Sequence, residues 1–166
     1  MLQATPHEVD KLTKTRWHLL GRLSIRSQNE SWLTSLDWQH NNAEDNLILS
    51  TSFGGVVAKL AYSAGSIVLS QAGQVEQLIS EQELADILGY SPPVEHLKYW
   101  VRGVPSPELS AHIDLDAPSG VRQFLQDGWR VSLERFRVSN DHLLPTKVSV
   151  TKEQIKIKLV VDQWLS

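Results

Sequence analysis

The chain contains no cysteine. That absence removes disulfides, thiolate nucleophiles, cysteine-ligated metals and thiol-linked lipids from anything these residues do as written. It assigns no compartment, because a cysteine-free chain suits reducing and oxidising surroundings alike. Nowhere do 18 apolar residues run together, so no segment reads as a membrane-spanning helix. The opening MLQATPHEVDKL has no apolar signal core. Charge of one sign is also scarce: 16 basic residues stand against 19 acidic ones, for a formal net charge of −3. The basic residues are scattered rather than striped, which argues against a nucleic-acid partner. No internal repeat or low-complexity tract is present.

Catalytic constellations are missing too. The six histidines, at 7, 18, 40, 96, 112 and 142, form no HExxH or HxxEH motif, and each reads as a surface or loop residue. Asp114 and Asp116 alternate near prolines and read as a solvated edge. No serine sits in GxSxG. Gly54-Gly55 lacks the further glycine and lysine of a phosphate loop. The sequence therefore predicts no catalytic residue, no metal site and no cofactor.

What is present is a run of short alternating segments. The chain has 166 residues, 41% of them hydrophobic, enough for one domain over 1–166 with its own core; residues 1–16 are weakly patterned. From Trp17 the apolar period is two. Trp17, Leu19, Leu23 and Ile25 share a face that Gly21 interrupts, and a mid-strand glycine marks a bend, a bulge or a close backbone approach. Trp32, Thr34, Leu36 and Trp38 face one way in the next strand. Residues 41–46 read as a polar loop, and strands follow from 47, 56, 67 and 75. After residue 105 come a weak strand at 111–115, an ambiguous stretch at 121–125, and strands from 129, 143 and 155. Arg135 marks a change of face of the kind a bulge produces. Connections this short join antiparallel neighbours. About ten or eleven strands then predict a mainly β protein, a strongly curved sheet or incomplete barrel.

One stretch breaks that rhythm. Residues 79–105 read as two helices around a proline joint. Ser80 and Glu83 have capping-box spacing. Leu84, Ile87 and Leu88 fall on one helical face, and Pro93 can open the second helix. Leu97, Trp100, Val101 and Val104 make its apolar stripe before Gly103 and Pro105 end it. Helices this short need an apolar surface to lie on, so residues 80–104 are either a fixed cover on the sheet or a movable lid over a hydrophobic cavity.

The aromatic residues leave two readings open as well. Six tryptophans accompany three phenylalanines. Trp38, Trp129 and Trp164 are core residues or walls of an apolar pocket that the helices cap. Phe53, ahead of Gly54-Gly55 at a turn tip, either folds back to the core or meets an apolar partner.

Several stretches, in order, resemble the LolB family of Gram-negative outer-membrane lipoprotein receptors. These are WHLLGRLSI at 17–25, WLTSLDWQ at 32–39, LILSTSFGG at 47–55, LKYWVRGVPSP at 97–107, GWRVSLERF at 128–136, LPTKVSV at 144–150 and IKIKLVVDQW at 155–164. The W-x-x-G-x-P that closes the second helix and the I-K-L-x-x-x-x-W at the end are the sharpest. The resemblance implies an unclosed antiparallel β-barrel of about eleven strands with a helical lid over a hydrophobic cavity. It also implies a non-enzymatic receptor that accepts acylated lipoproteins from the periplasmic carrier LolA and inserts them into the inner leaflet of the outer membrane. By that resemblance Phe53, with Gly54, matches the family's protruding residue for membrane insertion. Trp38, Leu84, Leu88, Leu97, Trp100, Val101, Trp129 and Trp164 are the candidate cavity and lid residues. The expected setting is the periplasmic face of the outer membrane, as a monomer. Family members carry a signal peptide and a lipidated cysteine; this sequence has neither, so lipid anchoring is expected of the parent protein. The alternatives are a general apolar-ligand binding module and a structural interaction domain without a cavity.

Overall fold

The computed structural model describes residues 16–28, 30–51, 55–88, 91–139 and 141–165, with backbone only at 56, 57, 87 and 88. Among these residues eleven antiparallel strands form one sheet. They are β1 (Arg16–Arg26), β2 (Ser31–Asn41), β3 (Glu44–Ser50), β4 (Val56–Ser63), β5 (Ser66–Ser70), β6 (Gln77–Ile79), β7 (His112–Asp114), β8 (Arg122–Gln126), β9 (Trp129–Ser139), β10 (His142–Lys152) and β11 (Ile155–Trp164). Two helices, α1 (Glu81–Leu88) and α2 (Val94–Trp100), lie between β6 and β7 in the chain.

The spatial order is β6-β5-β4-β3-β2-β1-β11-β10-β9-β8-β7. The first and last strands therefore pair in the middle, and the free edges are β6 and β7. The chain that joins those edges carries both helices, so the helical segment is inserted where the sheet fails to close. Each edge strand has only three residues, which limits the unpaired backbone offered to another chain.

Alternation dictates which face is inside. In β1, Trp17, Leu19, Leu23 and Ile25 are buried, as are Leu36 and Trp38 in β2 and Ile157, Leu159 and Val161 in β11. These residues and their equivalents on the other long strands form one buried cluster, which α1 joins through Leu84 and α2 through Val94, Leu97 and Trp100. Burying each such side chain is worth roughly 1.5 to 3 kcal/mol. Gly21 takes two of its predicted roles together. The β1–β11 register slips by one residue between Leu20 and Gly21, and a Cβ at Gly21 would lie 2.4 Å from the Val160 carbonyl oxygen.

Three local readings are corrected. The polar loop expected at 41–46 is a two-residue turn at Asn42-Ala43, and Glu44 to Asn46 belong to β3. Asn42 supplies the turn with φ 54°, a conformation asparagine tolerates better than most residues. At Arg135 the strand bends through a left-handed residue, φ 54°, but no residue is inserted: Glu134 pairs with Lys147 and Phe136 with Pro145 in one unbroken register. Finally, His40 and His96 are buried, not on the surface.

The capping box forms as the spacing predicts. The Glu83 N–H donates to Ser80 Oγ at 3.1 Å, and the Ser80 N–H donates to Glu83 Oε1 at 3.2 Å. Gly103 stops the second helical stretch with φ 88°. The Val104 N–H then reaches back to the Tyr99 carbonyl at 3.3 Å and the Gly103 N–H to that of Trp100 at 2.9 Å, the pattern of a glycine-terminated helix.

Candidate functional site

Inside the sheet, under α2, lies a cavity with no polar lining. Leu23, Leu36, Trp38, Leu47, Leu49, Leu60, Ile157 and Leu159 wall it from β1 to β4 and β11, and Pro92, Val94 and Leu97 close it from the helical segment. Its free space is about 20 Å³, that of a single water-sized molecule. In this conformation the interior is closed. A second, half-open pocket of about 340 Å³ follows the seam between α1, α2 and the β2–β3 and β4–β5 turns. Ile67, Ile79 and Tyr62 line it, with Asp45, Glu81, Glu95 and Glu108 among its carboxylates and Lys98 as its cation. Val94 belongs to both walls. One side chain of α2 therefore separates the polar seam from the apolar interior.

Two ring nitrogens buried beside the cavity share one carboxylate. The Trp38 indole N–H donates to Asp45 Oδ1 at 2.9 Å, and His40 Nδ1 lies 2.8 Å from the same oxygen. Trp17 stacks on His40 at 5.0 Å and meets Trp38 edge-on at 5.1 Å and Trp164 edge-on at 5.4 Å. Arg102 sits over the Trp164 ring at 4.9 Å. The two sharpest sequence signatures, 100–105 and 157–164, thus meet through one cation–π contact. Burial alone pushes the Arg102 guanidinium down to about 10, since low dielectric disfavours the charged form.

The α2 end is fixed to β8 by Gln126, a residue the sequence reading missed. Its Oε1 accepts from the Trp100 indole N–H at 2.8 Å and the Ser106 backbone N–H at 2.9 Å. Its Nε2 donates to the Ser106 and Leu109 carbonyls, both at 2.8 Å. The signal available was Asp127-Gly128, a two-residue hairpin dipeptide, which fixes Gln126 opposite Trp129. Asp45 was missed because its strand reads as loop.

Of the candidate residues, Trp38 and Leu97 line the interior cavity. Leu84, Trp100 and Val101 are fully buried in the same core, away from the cavity wall. Trp129 is buried at the β8–β9 turn, with the Lys152 ammonium 5.6 Å from its ring centre. Trp164 is half-buried beside Trp17. Phe53, Gly54 and the Leu88 side chain lie outside the described residues. The flanking residues Thr51 and Gly55 are both exposed, and the Thr51 N–H donates to the Gly55 carbonyl at 2.8 Å. Among the described residues no three His, Cys, Asp or Glu side chains gather as a metal site, and no helix is long and apolar enough to cross a membrane.

An unclosed antiparallel sheet wrapped round an apolar interior, with helices across the gap, is the architecture of the LolA-like proteins. The fold matches a LolA superfamily protein from Nitrosomonas europaea with a TM-score of 0.57 at 6% identity, over 95% of this chain and 90% of that one. It also matches a DUF1329 family protein from Desulfovibrio piger with a TM-score of 0.62 at 9% identity, over 95% and 88%. Within that class the sequence is more specific. Residues 15–164 match the family model of outer membrane lipoprotein LolB. The chain is 32% identical over 150 residues to the outer-membrane lipoprotein LolB of Pseudomonas syringae and 31% identical to that of Pseudomonas aeruginosa, in each case over 89% of this chain and 73% of the relative. The chain belongs to the LolB family.

Proposed function

We propose that this chain is a lipoprotein receptor. It takes acylated lipoproteins from a LolA-like carrier at the periplasmic face of the outer membrane, shelters their acyl chains inside the sheet, and releases them into the inner leaflet. The observation that carries this reading is the interior cavity walled only by apolar side chains in a chain of the LolB family. Each CH₂ removed from water is worth roughly 0.8 kcal/mol, so acyl chains of dozens of carbons gain far more from such an interior than from any surface patch. A cavity of about 20 Å³ admits no chain until some part of the 80–104 cover moves, and that part is the lid in this reading. The handover needs no covalent chemistry. It runs on differences in affinity between carrier, receptor and bilayer.

Phe53 is assigned the delivery step. A phenylalanine ahead of glycine, in a segment whose described neighbours Thr51 and Gly55 are exposed, would offer apolar area to the lipid interface without any role in holding cargo. The test is a transfer assay with lipoprotein-loaded LolA and outer-membrane vesicles. Cargo should leave the carrier in the presence of this chain and be recovered in the vesicles. Uptake without delivery would reduce the protein to a general apolar-ligand binder. No uptake would overturn the reading.

A further inference from the structure

The two helices of the cover are held very differently. In α2, five of seven side chains are buried: Val94, His96, Leu97, Tyr99 and Trp100. His96 Nε2 lies 3.4 Å from Asp127 Oδ2. Arg122 Nη1 donates to the Gly103 carbonyl at 2.7 Å, and Gln126 makes the four hydrogen bonds described above. In α1, Leu84 is buried while Glu81, Gln82, Glu83 and Asp86 are exposed. The side-chain hydrogen bonds of α1, Ser80 with Glu83 and Gln82 with Asp86, stay within the helix and its cap. The interior cavity is closed by Pro92, Val94 and Leu97. The seam pocket, by contrast, touches Ser80 and Glu81 at the start of α1 and shares Val94 with the interior.

We propose that Gln126 is the positioning residue of the cover: it fixes α2 and the 101–109 segment as a permanent wall, and so confines acyl entry to displacement of α1 along the seam beside Val94. The proposal rests on the reading of the interior as an acyl site. Gln126 suits the role because both ends of its amide are satisfied and its side chain is 1% exposed. A buried amide with all its partners in place resists local opening, since releasing it leaves several polar groups unpaired at once. Its partners span from α2 (Trp100) to the loop beyond it (Ser106 and Leu109), so a single strand-end residue holds the whole second half of the cover. Among the described residues no side-chain hydrogen bond or ion pair ties α1 to the sheet, so its displacement breaks no such buried polar network.

Hydrogen exchange read by mass spectrometry tests this on the full chain, with Gln126→Met and Trp100→Phe beside the parent and a tripalmitoylated cysteinyl hexapeptide as ligand. In the parent, saturating lipopeptide should change exchange across 80–88 and leave 94–104 as it was. Gln126→Met without ligand should speed exchange across 94–104 about tenfold or more, with β1 to β4 unchanged. Trp100→Phe, which keeps an aromatic side chain but loses the indole N–H and some volume, should move the same segment in the same direction by less, and it carries the test if Gln126→Met does not fold. Lipopeptide changing 94–104 in the parent as much as 80–88 overturns the proposal. So does parent-like exchange across 94–104 in both variants. Failure of the parent to bind the lipopeptide at all would instead overturn the acyl-site reading, while the ligand-free comparison still decides whether Gln126 anchors α2.

Discussion

The Trp38 indole N–H donates to the Asp45 carboxylate at 2.9 Å, across the two-residue turn that joins β2 to β3. Asp45 stands directly opposite His40 in the ladder, so one buried carboxylate oxygen satisfies two ring nitrogens at once. The same indole lines the apolar cavity. This arrangement lets a tryptophan, whose N–H rarely tolerates isolation, serve as a cavity wall.

Asp45→Ala should therefore be one of the more damaging single changes in the chain. It strands the Trp38 N–H and the His40 ring in a site where both are buried, at a cost of about 1 to 3 kcal/mol for each unsatisfied group. Urea unfolding should show a lower midpoint with little change in slope. Asp45→Asn keeps an acceptor oxygen and should lose less. Parent-like stability of Asp45→Ala would mean that the cluster contributes nothing net.

Gly21→Ala is expected to destabilise through backbone contact alone. The added methyl would meet the Val160 carbonyl oxygen, the nearest heavy atom at 2.4 Å, and a carbonyl in a central ladder has little room to retreat. Overpacking of this kind costs about 1 to 3 kcal/mol. Thermal melts of the variant and parent check it, and an unchanged midpoint would show that the bulge between β1 and β11 adapts without loss.

Tryptophan emission separates cavity wall from packing. Binding of the tripalmitoylated peptide should alter the emission, and Trp38→Phe should remove most of that change because Trp38 lines the interior. Trp129→Phe should leave it intact, since Trp129 packs at the β8–β9 turn. A ligand response that survives Trp38→Phe undiminished would move the acyl site elsewhere.

Phe53→Glu should take cargo from LolA at the parental rate and deliver much less of it to vesicles. Phe53→Leu should keep most delivery. Phe53→Ala should shift folding stability by less than about 1 kcal/mol, against about 3 to 5 for a core phenylalanine. Unimpaired delivery by Phe53→Glu removes the membrane-insertion role, and a large stability loss in Phe53→Ala returns the side chain to the core.

The sequence by itself determined the elements and their sidedness. A period of two places Trp17, Leu19, Leu23 and Ile25 inside whatever the partners of β1 turn out to be. Ser80 with Glu83, and Gly103 before Pro105, mark helix ends through local hydrogen bonding that depends on no distant residue. Gly21 announced a bend, a bulge or a close approach, because glycine makes each of them most cheaply. The family was legible as well, since its two tryptophan-bearing signatures are contiguous strings. What only the tertiary structure decided is where long-range partners meet. Pairing of β1 with β11 brings Trp17 beside Trp164, and the fold then sets Arg102 over that second ring, three residues with no shared local pattern. Asp45 reads as loop because polar residues in a short window look solvated, and only the β2–β3 ladder turns it under Trp38. Gln126 is one glutamine among many until β8 places it against Trp100, Ser106 and Leu109. Local propensity acts over a few residues, whereas a buried polar group is satisfied by whichever donor or acceptor the topology delivers, and no local window records that choice.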